Sequence, residues 1–187
     1  MNSKCLLFIF LQAIVITACK PSEESLYFQG VELAEDGEHE KAIKKFTQVI
    51  ELNSQNDRAY FERGISWYII DSSEKALDDL NYILDNKPAL AFEVNPAFAT
   101  GDQIWKVPTV NIIYQRALVK YGMDSLKASF IDFMYCAKNG YEKARSNLFM
   151  GHMHQASGNN EKACYYYKLA AYLGDEEAKG IIEKDCQ

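Results

Sequence analysis

Small and apolar positions recur along this chain at a spacing of 34 residues, and that spacing predicts most of its elements. Glu40-Lys41-Ala42-Ile43 and Glu74-Lys75-Ala76-Leu77 stand one period apart, as do Gly30 and Gly64. Near the C-terminus, Gly140 and Ala144 precede Gly174 and Ala178 by the same period. Within each period the apolar residues keep helical spacing, so the repeating unit reads as helical. Such a unit cannot bury its apolar face alone and must stack on its neighbours. Turns are expected at Asp36-Gly37-Glu38 and Asp71-Ser72-Ser73, and Pro88 should stop the second helix of its pair. Gly30 and Gly64, with Ala42 and Ala76 on the facing helices, would let the two helices of a pair approach closely. The tail Asp175–Asp185 reads as a capping helix, with Ala178, Ile181 and Ile182 turned inward.

These positions resemble the tetratricopeptide repeat. The second copy carries Tyr60, Gly64, Trp67, Ala76, Leu80, Ile83 and Pro88 in the pattern of that family. The first carries Leu26, Gly30, Leu33, Ala42, Phe46 and Val49, with Ser54 in place of the final proline. Gly151, Ala163, Tyr167 and Ala170 occupy the same positions in the last copy. The string Glu161-Lys162-Ala163-Cys164-Tyr165-Tyr166-Tyr167-Lys168-Leu169-Ala170-Ala171-Tyr172-Leu173-Gly174 resembles the Sel1-like variety, and Lys127-Ala128…Phe133…Cys136-Ala137…Gly140 is a more diverged copy. His154 stands where an aromatic is usual. The resemblance implies an all-α fold, an α-solenoid of about four helix pairs with a C-terminal capping helix, over residues 25–187. An irregular insertion interrupts it at about 89–108, broken by Pro96, Gly101 and Pro108 yet carrying Phe92, Phe98, Ile104 and Trp105. That much apolar surface should pack on the solenoid or be completed by a partner.

In this family the first helix of each pair lines a concave groove. The register places Tyr27, Val31 and Ala34 there from the first pair, and Arg58, Phe61, Ile65 and Tyr68 from the second. Leu148, His152 and Gln155 come from the last. The alternative is that several of these belong to the core between helices. An exposed groove of this composition is aromatic and largely uncharged, and the Lys/Asn carboxylate clamp of chaperone-binding members is not visible. It fits an apolar peptide or helix of a protein partner.

The N-terminus has a different pattern. Lys4 precedes an apolar stretch, Leu6–Ala18, too short to span a bilayer and suited to a secretory signal. Ile16-Thr17-Ala18-Cys19 resembles the lipobox of bacterial lipoproteins. That resemblance implies a signal peptide at 1–18, fatty acylation at Cys19, and a lipidated tether at 19–24. Lys20 is not the aspartate of inner-membrane retention, so the expected address is the outer membrane, facing the periplasm or the surface. Cys136, Cys164 and Cys186 would remain in an oxidising compartment, an odd number that allows at most one internal disulfide. Two of them read equally as small core residues on helices.

A net charge of −6 argues against nucleic-acid binding, which needs a basic patch or stripe. His39, His152 and His154 do not form a metal pair, since the last two are two residues apart and point to different helical faces. No phosphate-binding loop or nucleophile elbow is present, and most acidic residues fall on helical faces expected to meet water. No catalytic residue, metal or cofactor is therefore expected. The reading is a membrane-tethered interaction scaffold in an envelope assembly. The alternative is an envelope hydrolase or polysaccharide-binding protein on a repeat scaffold.

Overall fold

The structure, a computed structural model, describes residues 21–86 and 107–186. The signal peptide read at 1–18, the lipidation site Cys19, Pro88 and the body of the insertion lie outside these residues. The described chain is helical throughout: α1 (Glu23–Glu35), α2 (His39–Leu52), α3 (Asp57–Ile69), α4 (Ser73–Asn86), α5 (Thr109–Gly122), α6 (Leu126–Lys138), α7 (Lys143–Ala156), α8 (Asn160–Tyr172) and α9 (Glu176–Asp185). Consecutive helices form antiparallel pairs, α1 with α2 through α7 with α8; each pair packs on the next, and α9 closes the end against α8. The expected α-solenoid of four pairs and a capping helix is what the described residues form. The 34-residue period sets the boundaries too: α1 and α2 begin one period before α3 and α4, and α5 and α6 one period before α7 and α8. The insertion separates these two in-register halves.

Helix starts follow the side chains before them. Ser22, Asn56, Asn159 and Asp175 each accept a hydrogen bond from a backbone N–H of the first turn they precede. Ser22 makes α1 begin at Glu23, so Glu23 and Glu24 of the segment read as tether form its first turn, where negative charge suits the helix dipole. The Glu23 carboxylate also accepts from the Asn53 and Asn56 side-chain amides, which fixes the turn into the second pair. Inside every pair the turn passes through one left-handed residue, Gly37, Asp71, Asp124 or Gly158, at φ of 78°, 58°, 57° and 75°.

The pairs close on equivalent contacts. A Cβ on Gly30 would stand 2.6 Å from the Phe46 ring, and one on Gly151 would stand 2.4 Å from the Tyr167 ring. Each glycine thus makes room for the facing aromatic. At Gly64 the facing residue is Leu80, and the same Cβ would meet it at an ordinary 3.4 Å. In the third pair the position is Ala117, buried beside Phe133.

Beside this apolar seam runs a polar one. Arg63 donates through Nε and Nη2 to both carboxylate oxygens of Asp79, and through Nη1 to Thr47 Oγ1 of the preceding pair at 3.0 Å. Arg116 does the same to Asp132, and its Nη1 reaches Asn81 Oδ1 at 3.1 Å. Thr47 and Asn81 are one repeat period apart, so each guanidinium closes its own pair and ties it to the one before. Lys120 adds a second cation on Asp132 at 2.7 Å. The expectation that acids face water therefore fails at Asp79 and Asp132, which are buried with these partners. Opposite charges sixteen residues apart meet only once the hairpin closes.

The cysteines divide. Cys136 is buried in the core of the third pair, where burial pushes its thiol up to about 12. Cys164 on α8 is bonded to Cys186, just after α9, with Cα atoms 5.5 Å apart. The core role expected of helical cysteines thus holds for Cys136, and the other two form a cross-link.

Candidate interaction groove

The first helices of the first three pairs touch in succession, α1 with α3 and α3 with α5, and α7 holds the equivalent place in the fourth pair. Three rows of equivalent positions recur on these four helices. Tyr27, Phe61, Tyr114 and Leu148 form the deepest row; all but the half-buried Phe61 are buried. Val31, Ile65, Leu118 and His152 form the second, and all four are half-buried. Ala34, Tyr68 and Tyr121 form the third, with the exposed Gln155 at its end.

The residues read from sequence thus divide by depth. Tyr27 packs in the first core cluster with Phe46, and the Arg58 guanidinium covers its ring at 4.0 Å from the centroid. Leu148 lies in the last core cluster. Val31, Phe61, Ile65, Tyr68 and His152 keep part of their surface open. The third pair supplies Leu118 and Tyr121, which were not picked out from the sequence. The signal was available, since each stands one period before His152 and Gln155, but the insertion broke the register from the N-terminal side.

Aromatic contacts stiffen this surface. Tyr68 lies across α5, its hydroxyl 3.3 Å from where a Cβ on Gly122 would be. Tyr121 meets Phe149 edge to face at 5.1 Å, and Phe149 stacks on Phe133 at 4.9 Å. His154, in a place where an aromatic was expected, behaves as one: its imidazole stacks on Tyr166 at 5.3 Å. Burial lowers its proton affinity, and Lys162 adds to the effect.

Charge is sparse and local. Burial raises the Glu62 carboxyl above its usual range, Arg58 opposes this, and Glu35 adds to it. At the far end Arg145 Nη1 meets Glu177 Oε2 of the capping helix at 2.9 Å, and His152 Nε2 stands 3.5 Å from Glu177 Oε1. Tyr167 donates its hydroxyl to Gln155 Oε1 at 2.7 Å, which leaves its oxygen to accept from His152 Nδ1–H at 3.1 Å. Among the described residues no three His, Cys, Asp or Glu side chains are grouped to hold a metal ion. What the surface offers is half-buried apolar and aromatic area with a few oriented charges.

No protein-family model matches the chain. Tetratricopeptide repeat protein 36 of Caenorhabditis elegans is 43% identical over 56 residues, which cover 30% of this chain and 31% of that protein. The match thus spans about a third of that relative's length. Among solved structures, MamA superposes with a TM-score of 0.64 at 19% identity, over 84% of this chain and 81% of that one. YrrB, described as a TPR protein with an unusual peptide-binding site, gives 0.60 at 13% identity, over 82% and 69%. Pseudomonas aeruginosa pilF gives 0.60 at 15%, over 87% and 67%. These likenesses show a fold of the tetratricopeptide type.

Proposed function

We propose that this chain is a lipid-anchored interaction scaffold of the bacterial envelope that holds a segment of a protein partner along its inner face. The observation that carries the reading is the row Val31, Ile65, Leu118 and His152. Equivalent residues of all four pairs are neither buried nor fully exposed, with Tyr68 and Tyr121 beside them. A peptide or helix laid along this row would bury apolar area on every pair at once. YrrB, with the same fold, is described as binding peptide.

The envelope part rests on separate observations. The Ile16-Thr17-Ala18-Cys19 pattern supports a lipid anchor at Cys19. The Cys164–Cys186 disulfide fits an oxidising compartment outside the cytoplasm. No described helix is long and apolar enough to cross a membrane, so the reading assigns attachment to the lipid. Replacing Cys19→Ser should move the protein from the salt-washed membrane pellet to the soluble fraction; persistence in the pellet would remove the anchor.

The groove is tested in the cell by a photo-crosslinking side chain placed at Leu118 or, as the control, at Lys44 on the solvent face of α2. A discrete protein adduct from Leu118 and none from Lys44 supports the reading. Identical products from both sites, or none from Leu118, would overturn it.

A further inference from the structure

The capping helix puts a carboxylate into the end of the inner face. Arg145 and His152 lie two turns apart on α7 and converge on one side chain, Glu177 of α9: one carboxylate oxygen is 2.9 Å from Arg145 Nη1, the other 3.5 Å from His152 Nε2. Asp175, which caps α9, stands 3.6 Å from the same Arg145 nitrogen. The Arg145 guanidinium also lies 5.6 Å from the centre of the Phe149 ring. The imidazole is oriented from behind, because the Tyr167 hydroxyl gives its proton to Gln155 and takes one from His152 Nδ1. With Nδ1 turned to the Tyr167 hydroxyl, Nε2 is the ring nitrogen that faces the carboxylate.

Glu177 is not what holds the cap in place. Ala178 is fully buried, Ile181 and Ile182 pack on the last core cluster, and Cys186 is bonded to Cys164. The Glu177 and Arg145 side chains are 49% and 44% exposed, and an ion pair so open contributes little to stability. A carboxylate thus sits between a guanidinium and an imidazole, from which it can leave without uncapping the solenoid.

We propose that Arg145 and His152 form a carboxylate-binding station at the C-terminal end of the groove, and that Glu177 is its internal occupant, displaced by an acidic side chain of the bound partner. This rests on the groove reading and deepens it. The partner segment is apolar where it crosses Ile65, Leu118 and Tyr121, and carries Asp or Glu where it reaches α7. The planar guanidinium fork suits a carboxylate, and Arg145 and His152 lie on one helix. Glu177 competes with the partner, so the intact chain binds more weakly than a chain with an uncharged residue there.

The test uses the full chain and an array of apolar twelve-residue peptides, synthesised as pairs that differ only by Glu against Gln at one position. Pairs bound by the protein are retained, and affinities are measured for three forms: unaltered, Glu177→Gln, and Glu177→Gln with Arg145→Gln. The expected result is a Glu-over-Gln preference of about tenfold on Glu177→Gln, smaller on the unaltered chain and absent from the double variant. Glu177→Gln should melt like the unaltered chain; Arg145 also faces the buried side chain of Asp175, so melts of all three forms are recorded alongside and affinities are compared below the lowest transition. Peptides that bind without a Glu preference on Glu177→Gln, or a preference that survives Arg145→Gln, would overturn the station while leaving the groove standing. If no peptide binds any form, the groove and the station fall together.

Discussion

Arg63 and Asp79, sixteen residues apart, form a two-pronged ion pair with both N···O distances below 3.0 Å, and Arg116 and Asp132 repeat it in the next pair. The repetition makes the pair part of the solenoid's construction rather than a local accident. Each guanidinium spends its remaining nitrogen on the preceding pair, so the contact acts both within a repeat and between repeats.

Removing one partner should therefore cost more than removing both. Arg63→Met leaves Asp79 buried without its cation and should destabilise the fold by about 2–4 kcal/mol, whereas Arg63→Met with Asp79→Leu should recover most of that loss. Urea unfolding of the two variants measures the difference. Equal losses would show that the carboxylate is not isolated when the arginine goes.

The glycines that face the second helices should separate into two kinds. Gly30→Ala and Gly151→Ala press a methyl group into an aromatic ring and should cost about 1–3 kcal/mol each. Gly64→Ala meets only ordinary contacts and gains helix propensity, so it should be neutral or stabilise by up to about 1 kcal/mol. Thermal melting of the three variants side by side checks the ranking. A costly Gly64→Ala would mean that the second pair is as tight as the first.

Two of the four turns within pairs hold an aspartate in the left-handed region. Asp71→Gly and Asp124→Gly should each stabilise by about 0.5–1 kcal/mol, because glycine meets no Cβ penalty there and the equivalent turns already use Gly37 and Gly158. The converse changes, Gly37→Asp and Gly158→Asp, should lower the melting temperature by a comparable amount.

The disulfide between Cys164 and Cys186 closes a loop of 22 residues around α9. Reduction should destabilise by about 3 kcal/mol. The loss should centre on α9 and the end of α8, since neighbouring pairs carry most of a solenoid's cohesion. Hydrogen exchange with and without reductant would localise it. Cys164→Ser should abolish the dependence on reductant, and Cys136→Ala should leave it intact.

The sequence by itself determined the repeating unit, the place of the helix turns, the contacts at Gly30, Ala42 and Ala76, and the capping helix. All of these are written locally, as helical periodicity and small residues at a fixed spacing, and one repeat testifies for the next. The tertiary structure decided what depends on closure. Tyr27 and Leu148 share their helices with Val31 and His152, but they lie closer to the second helix, so they enter the core while their neighbours stay at the surface. Asp79 and Asp132 look like surface acids until a hairpin brings an arginine against each. Cys136, Cys164 and Cys186 allow three pairings among themselves, and only the folding of α9 back onto α8 brings Cys186 to Cys164 and Glu177 to Arg145 and His152. Periodicity fixes which face a residue is on; the depth of that face, and what meets it, come from packing one pair on another.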